Sequence, residues 1–317
     1  MDAPARGEQA EPASSLRSAF DGVYVVSLPW REDRRATLRA LYGDTLLRGC
    51  TWLSGRALPR TLPRTLPLLT GAAAAIAATG AATGAAAAAV DPHAAWRTPL
   101  TPEERSWLGP SWTLGANAQA ACALAHVHAW KRALADGCRL ALFLEDDVRF
   151  GSVLDGDAGA RAGSHASAAA AAETIQSVLG AIAAHRASPR SKKPRFEGAE
   201  AYFLGGATFK KHSPPPKPDV ARSSASAAVS VTRSSPFAFY PLQAVCTTVA
   251  YVLNDVALRA LVETVSKTGL GDPVDFALQT FIRARFGGDS AYVCLHPEFA
   301  WQAPECGSDI LGIPSTL

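Results

Sequence analysis

The sequence lacks a long hydrophobic run, and this absence argues against a membrane-spanning segment. The nearest candidate, residues 71–90, is built from alanine, glycine and threonine, with Ile76 and Val90 as its large apolar residues. Its hydrophobicity is weak, and its glycines disfavour a helix. Acids and prolines occupy residues 1–15, where a signal peptide requires an apolar core. We therefore expect no membrane span and see no export signal.

A strong charge of either sign is also absent. The chain carries 31 lysines and arginines against 28 acids, so its net charge of +3 gives no reason to expect nucleic acid or an anionic membrane as a partner. Its six cysteines form no Cys-x-x-Cys pair and no metal-finger spacing. Apolar surroundings indicate buried thiols at Cys122, Cys138 and Cys246, whereas Cys294 and Cys306 could form a disulfide.

The chain does contain a series of apolar segments, separated by low-complexity stretches. We expect residues 1–19 to form a disordered leader and residues 20–317 to form one large domain. Sequence rich in alanine, glycine, serine or proline at about 58–92, 151–195 and 210–236 predicts insertions into that domain.

The most informative segment contains three consecutive acids. Five apolar residues at 140–144 run directly into Glu145, Asp146 and Asp147. A short apolar run of this kind predicts a buried strand of an α/β sheet, and ligands bind beyond the carboxyl ends of such strands. Adjacent carboxylates repel one another, and a Mg²⁺ or Mn²⁺ ion would neutralise them through the oxygen ligands that it prefers. The alternative is a solvated turn whose acids accept hydrogen bonds from backbone N–H groups.

A second segment predicts a strand, a basic loop and a helix, the order that opens a nucleotide-binding α/β unit. The strand is expected at 23–28 and the helix at 37–47, with the sequence REDRR between them. The guanidinium groups of Arg31 and Arg34 could bind a diphosphate or a uracil ring. The pattern is equally typical of a solvated helix start.

The clearest helix is predicted at 117–138. Cys122, His126 and Trp130 recur every four residues and share one face of it. A histidine on such an apolar face is more often a packed core residue than a ligand, so both interpretations of His126 stay open. A shorter helix is predicted from Thr101, whose surroundings suit a capping box.

The C-terminal part predicts further strands at 198–206 and 244–254, each rich in apolar residues. Asp255 is predicted to cap the helix that follows the second of them. Another helix is predicted from residue 272, with Asp275 in its first turn. An acid at that position favours the helix dipole, which is its simplest structural explanation.

These segments, taken in order, resemble glycosyltransferase family 25, which includes lipo-oligosaccharide galactosyltransferases and collagen hydroxylysine galactosyltransferases. The family's opening strand with Arg-x-Asp-Arg is matched by VYVVSLPWREDRR, and its Cys-x-x-Ser-His-x-x-x-Trp element by QAACALAHVHAW. Its Glu-Asp-Asp strand is matched by ALFLEDDVRF, and its Pro-(Ile/Val)-Asp by DPVDFAL. Its acceptor-side segment is similar to AVCTTVAYVLNDVALRAL, and its closing Gln…Ser-Asp-Ile to Gln302 and residues 308–310.

The resemblance implies an α/β fold, namely a GT-A-like (Rossmann-like) domain with a mixed, mostly parallel sheet. It implies a hexosyltransferase that moves a hexose, galactose in the first place, from a UDP-sugar to a hydroxyl group of a glycan or of a hydroxylysine-type protein acceptor. The implied reaction is a metal-assisted inverting displacement, with Mn²⁺ or Mg²⁺ as the metal.

The resemblance also implies roles for individual residues. The metal ligands would be Asp147, Glu145 and Asp146. The donor-binding residues would be Arg31, Arg34 and His126. Glu145, already named as a metal ligand, is also a candidate for binding the donor. An inverting displacement needs a base opposite the leaving group. Asp275 is the candidate for that base, and Asp309 is the alternative base or ligand.

Three positions depart from the family pattern. Gln119 stands where the family has Glu, Ala121 where it has Gly, and Ala125 where it has Ser. An amide keeps the shape of a carboxylate but loses its charge and its capacity to accept a proton. The alternative function is therefore a catalytically impaired relative that binds a nucleotide-sugar or a glycan without turnover.

The sequence leaves the acceptor and the cellular location open. Eukaryotic members of the family act in the secretory pathway, which an incomplete N-terminus would allow. Otherwise the protein would be cytoplasmic.

Overall fold

The fold is described from a computed structural model of the chain. The structure describes residues 15–55, 100–109, 117–150, 174–182, 201–205, 238–241, 248–286, 292–296 and 300–302. The predicted insertions at 58–92 and 210–236 lie outside these ranges, and within 151–195 only the helical residues 174–182 are described. At the end of the predicted leader, Leu16 lies in a short 3-10 helix and is buried against the core.

The described strands form one sheet. They are β1 (Gly22–Ser27), β2 (Thr51–Ser54), β3 (Leu140–Glu145), β4 (Val148–Phe150), β5 (Ala201–Gly205), β6 (Ala238–Pro241), β7 (Ala250–Asn254), β8 (Tyr292–His296) and β9 (Ala300–Gln302). The helices are α1 (Glu32–Leu46), α2 (Pro102–Trp107), α3 (Asn117–Ala135), α4 (174–182), α5 (Asp255–Thr268) and α6 (Val274–Phe286). Of these helices, none has the length and apolar character needed to cross a membrane.

The sheet is mixed, with strand order β2-β1-β3-β7-β5-β8-β6, and β9 pairs with both β4 and β5. Parallel pairs join β1 to β2 and β3, and β5 to β8 and β9. Antiparallel pairs join β7 to β3 and β5, β6 to β8, and β4 to β9. Most of these strands therefore share one direction, and β4, β6 and β7 oppose it. The predicted α/β class with a mixed, mostly parallel sheet is confirmed and is compatible with a Rossmann-like fold.

Helices cover both faces of the sheet, which gives three layers. Alternate residues of β1 enter opposite cores: Val23 and Val25 pack with Leu38 of α1, whereas Tyr24 and Val26 pack in the core that contains α3. Because both faces are buried, β1 is apolar along its length instead of alternating. The helix α4 lies on the α1 side, and α2, α5 and α6 lie on the α3 side.

Local side-chain bonds determine where two helices begin. The predicted capping box is confirmed, since Glu104 N–H donates to Thr101 Oγ1 at 3.1 Å and Thr101 N–H donates to Glu104 Oε2 at 2.8 Å. The prediction that Asp255 is an N-cap is wrong. Asn254 holds that position, and its Oδ1 accepts from Ala257 N–H at 2.9 Å. Asn254 is the last residue of β7, so it already has the extended backbone that an N-cap requires.

A close backbone contact requires glycine at position 205. Gly205 pairs with Ala300 where β5 meets β9, and a Cβ on Gly205 would lie 1.5 Å from the Ala300 carbonyl oxygen. We expect Gly205→Ala to lower the free energy of unfolding by ~3 kcal/mol, because paired backbone cannot move aside as a flexible side chain can. Chemical denaturation followed by circular dichroism measures this loss.

The matched control is Gly180→Ala. Gly180 lies in α4, and a Cβ there would meet no atom within 4 Å. This variant should gain up to ~1 kcal/mol of stability, since alanine is the better helix former. Equal stability of the two variants would contradict the close approach of β5 and β9.

Candidate functional site

The candidate site lies at the edge of the sheet where β1 and β3 end. Because β7 runs antiparallel to β3, the start of β7 meets the end of β3, which brings Thr248 to the same edge. His126 of α3 also reaches it, with Nε2 3.4 Å from a carboxylate oxygen of Glu145. Open α/β sheets bind ligands at this kind of edge.

Arg34 bonds to two of the three consecutive acids. Its Nη1 donates to Asp146 Oδ1 and to Asp147 Oδ2, each at 3.1 Å. All three side chains are buried, so solvent and salt screen the attraction little. The helix α1 begins at Glu32, earlier than predicted, and this places Arg34 in its first turn. REDRR is therefore a helix start, but Arg34 points into the protein instead of into solvent.

Asp146 has a second partner at the end of β1. The Ser27 hydroxyl donates to Asp146 Oδ2 at 2.8 Å, and Arg35 Nη1 donates to the same hydroxyl at 3.1 Å. Burial raises the pKa of Asp146, although Arg34 and Ser27 oppose the rise. The ionised form of this acid would thus be stabilised by any further positive charge that a ligand brought to the site.

Glu145 has a different set of partners. Its Oε1 accepts from the Thr248 hydroxyl at 2.5 Å and faces His126 Nε2. Burial opposes the ionisation of Glu145, but His126, Thr248 and Arg34 outweigh that effect and hold its pKa below the usual value. Glu145 is therefore a carboxylate at neutral pH, and one-fifth of its side chain (20%) is open to solvent.

His126 is held through its other ring nitrogen. Nδ1 lies 2.7 Å from the Tyr251 hydroxyl, and Trp130 Nε1–H donates to the same hydroxyl at 2.9 Å. The three side chains are fully buried. The predicted face of α3 is thus confirmed, and its histidine is a polar group oriented towards Glu145.

Cys122 lies one turn before His126 on α3. Its Sγ, a ring nitrogen of His126 and a carboxylate oxygen of Glu145 all lie within 4.8 Å of one another. Burial raises the pKa of the Cys122 thiol well above its usual range, and the negative charge of Glu145 adds to the rise. Of the predicted buried thiols, Cys138 is buried, Cys122 is partly buried against the core that contains α3, and Cys246 lies outside the described residues.

Asp275 lies in the first turn of α6, as predicted, with its side chain partly buried. Burial raises the pKa of Asp275 to about 6, against the bond that its Oδ1 accepts from Phe276 N–H at 2.9 Å. The charge of Glu145 contributes to the rise, and the helix α6 packs against α3, which carries His126. A carboxyl that titrates close to neutral pH is suited to accept a proton during catalysis.

The structure brings most of the predicted site residues together. Those at the shared edge are Arg34, His126, Glu145, Asp146 and Asp147, while Asp275 lies in the first turn of α6, which packs against α3. Arg31 instead pairs with Asp33 at 2.9 Å at the start of α1. Asp309 lies outside the described residues, so its predicted role stays a prediction.

Sequence reasoning missed Thr248 and Tyr251 as parts of the site. Both lie in a segment that reads as an ordinary apolar strand, residues 244–254. One signal was present, because hydroxyl-bearing residues at the start of a buried strand need hydrogen-bond partners. Their partners, Glu145 and His126, follow only from the pairing of β7 with β3.

Comparison with known proteins assigns no family. The chain matches no protein-family model, and no curated protein matches it. The resemblance to glycosyltransferase family 25 therefore rests on the sequence motifs.

Removing the Arg34 charge should lower the stability of the protein, because two buried carboxylates would then lack a positive partner. We expect Arg34→Met to lose about 3–5 kcal/mol of unfolding free energy near neutral pH, because Asp146 and Asp147 lose their charge partner. The loss should shrink as the pH falls, because protonation of these acids removes the uncompensated charges. Urea denaturation at about pH 7.5 and about pH 5 measures both effects.

The matched control is Arg259→Met in α5. Arg259 is exposed and pairs with Asp255 at 3.0 Å on the same helix, so its loss should cost ~0.5 kcal/mol or less. A loss in Arg34→Met that did not vary with pH would contradict the charge-pairing account.

Proposed function

We propose that the protein is a glycosyltransferase that moves a hexose from a UDP-sugar to a hydroxyl acceptor, with inversion at the anomeric carbon. UDP-galactose is the first donor to consider, and the acceptor class is a glycan or a hydroxylysine-type protein side chain. The order of the motifs supports this proposal, and so does the way in which the site residues are gathered.

One structural observation carries the proposal. A buried guanidinium, that of Arg34, lies at the exit of the first strand beside Asp146 and Asp147, and Asp275 lies in the first turn of α6, which packs against α3. A guanidinium at a strand exit suits the diphosphate of a nucleotide-sugar. A carboxyl with a pKa of about 6 suits the acceptor side, where a hydroxyl group must lose its proton.

The proposed reaction is a single displacement. Asp275 accepts the proton of the acceptor hydroxyl as its oxygen bonds to the anomeric carbon, and the bond from that carbon to the diphosphate oxygen breaks. UDP leaves with the electron pair. Arg31 and Arg34 bind the nucleotide side, and His126 shapes the donor pocket together with Glu145. Asp309 is the alternative base.

The proposal includes a divalent ion, Mn²⁺ or Mg²⁺, which would arrive with the diphosphate. Glu145, Asp146 and Asp147 offer the carboxylate oxygens that such ions prefer. Burial raises the pKa of Asp146, so a further positive charge beside it would stabilise its ionised form. When bound, the ion would stabilise the negative charge of the leaving diphosphate. Arg34 competes for the same oxygens, since its Nη1 already bonds to Asp146 and Asp147.

The second candidate function is binding of a nucleotide-sugar or glycan without turnover. Gln119 and Ala125, which replace the Glu and the Ser of the family pattern, favour it. UDP binding by the purified protein, with no UDP released from UDP-galactose in the presence of any acceptor or water, would support this function instead.

Release of UDP from UDP-galactose with Mn²⁺ is the direct test of the transferase. Asp147→Ala should lower this release by at least ~100-fold, because the ion that would stabilise the leaving diphosphate loses a ligand. Circular dichroism should report an unchanged fold, and Asp147→Asn serves as the variant of equal shape. The control is Asp136→Asn, which alters an acid that pairs with Arg132 on α3. Unchanged activity in both Asp147 variants would refute the metal assignment.

Asp275→Asn should lower turnover by about 10²–10⁴-fold while UDP binding persists, since the amide cannot accept the acceptor's proton. In the wild-type protein, turnover should decline as the pH falls through about 6, where Asp275 becomes protonated. A pH–rate profile and a UDP titration measure these effects. Asp272→Asn, an exposed acid three residues earlier, is the control. Loss of UDP binding in Asp275→Asn would indicate a donor-side role instead.

A further inference from the structure

A thiol, an imidazole and a carboxylate meet beside the proposed sugar-nucleotide site, and no step of the proposed transfer uses the thiol. From this juxtaposition we infer that Cys122, His126 and Glu145 form a binding site for a thiophilic divalent ion, with Zn²⁺ as the ion that suits it best. The inference does not depend on the proposed function, because it concerns metal binding in the absence of nucleotide.

The spacing of the donor atoms fits a single small ion. Tetrahedral Zn²⁺ holds a nitrogen and an oxygen ligand about 3.3 Å apart, and a sulfur and a nitrogen ligand about 3.6 Å apart. His126 Nε2 and Glu145 Oε1 are 3.4 Å apart, which is longer than a usual N–H···O hydrogen bond. The three donor atoms, with the Cys122 sulfur, lie within 4.8 Å of one another. Adjustment of the thiol by about 1 Å would complete the tetrahedral spacing.

The contacts of His126 allow the tautomer that a metal requires. The Tyr251 hydroxyl oxygen accepts from Trp130 Nε1–H and has a second lone pair that can accept a hydrogen bond from His126 Nδ1–H. In that tautomer Nε2 presents its own lone pair towards Glu145. Histidine ligands of metals are commonly held in this way through their second ring nitrogen.

Glu145 has a corresponding support. The Thr248 hydroxyl donates to Glu145 Oε1 at 2.5 Å and so fixes the carboxylate beside His126. Supports of this kind orient ligands and tune their affinity for the ion. His126 of α3 and Glu145 of β3 thus each have a buried partner: Tyr251 in β7 and Thr248 just before it.

The donor set selects the type of ion. Thiolate and imidazole suit Zn²⁺, whereas Mn²⁺ and Mg²⁺ prefer carboxylate, carbonyl and water oxygens. Binding would form the bond from sulfur to zinc and release the thiol proton to solvent. The thiolate and the carboxylate together would balance the charge of the ion. Three protein ligands would leave the fourth tetrahedral position for water or a ligand, on the partly exposed side of Glu145.

The test is metal binding by the full chain, stripped of metal with a chelator and kept free of nucleotide. Co²⁺ serves as the spectroscopic stand-in for Zn²⁺. We expect one Co²⁺ per chain, a near-ultraviolet charge-transfer band from thiolate coordination, and the intense visible bands of a tetrahedral site. Added Zn²⁺ should remove both sets of bands, and competition with a chromophoric chelator then gives the Zn²⁺ affinity.

Two variants separate a metal ligand from a supporting residue. Cys122→Ser should lose the charge-transfer band and bind Zn²⁺ at least ~100-fold more weakly. Tyr251→Phe should keep the band but bind about 10-fold more weakly, because only the support of His126 is lost. The matched control is Cys50→Ser, since Cys50 is another partly exposed free thiol and lies outside the cluster. It should bind as the wild type does.

Two results would overturn the inference. One is a folded wild-type protein, by circular dichroism, that shows no charge-transfer band with Co²⁺. The other is equal Zn²⁺ affinity in Cys122→Ser and Cys50→Ser. Either result would leave the contact between His126 and Glu145 as a long hydrogen bond. Failure of the transferase proposal would not affect this test, and Asp147→Asn should retain Zn²⁺ binding even where it loses UDP release.

Discussion

The pairing of Arg34 with Asp146 and Asp147 is the interaction on which the site depends. Three consecutive carboxylates at the end of a buried strand repel one another and lose hydration. One guanidinium bonds to two of them at 3.1 Å and is itself anchored in the first turn of α1. The same contact fastens the start of α1 to the end of β3. Arg34 therefore both holds α1 against the end of β3 and balances the charge of the buried acids.

This pairing divides the acids between two chemical environments. Asp146 and Asp147 both accept from the guanidinium of Arg34, and Asp146 also accepts from the Ser27 hydroxyl. Glu145 faces an imidazole, a threonine hydroxyl and a nearby thiol. The first is the proposed environment of the ion that would arrive with a diphosphate, and the second is the proposed site of a softer metal. Asp275, whose pKa is raised by burial to about 6, is the proposed base of the transfer. Neighbouring positions at the end of a strand can thus differ in environment, since Glu145 is the last residue of β3 and Asp146 and Asp147 lie in the turn that follows it.

The sequence by itself determined the central strands and most of the helices, although α1 begins earlier than predicted. Apolar runs predicted β1, β3, β5 and β7, and the four-residue recurrence of Cys122, His126 and Trp130 predicted the inward face of α3. The capping box at Thr101 and the position of the acids at a strand end were also predicted. These features depend on neighbours within a few residues, so short-range pattern is sufficient to find them. The N-cap at Asn254 was missed by one residue because two adjacent polar residues both suit that position.

Only the tertiary structure decided which groups meet. Arg34 and Asp146 are separated by 112 residues, and His126 and Tyr251 by 125. Their contacts require β3 to lie between β1 and β7, with β7 reversed. No local pattern encodes that order, because strand pairing depends on the packing of all layers at once and low-complexity stretches separate the partners in sequence. The three acids were visible in the sequence. The folded sheet decided that Asp146 and Asp147 bond to Arg34 and that Glu145 faces His126, with hydroxyl groups supporting both contacts.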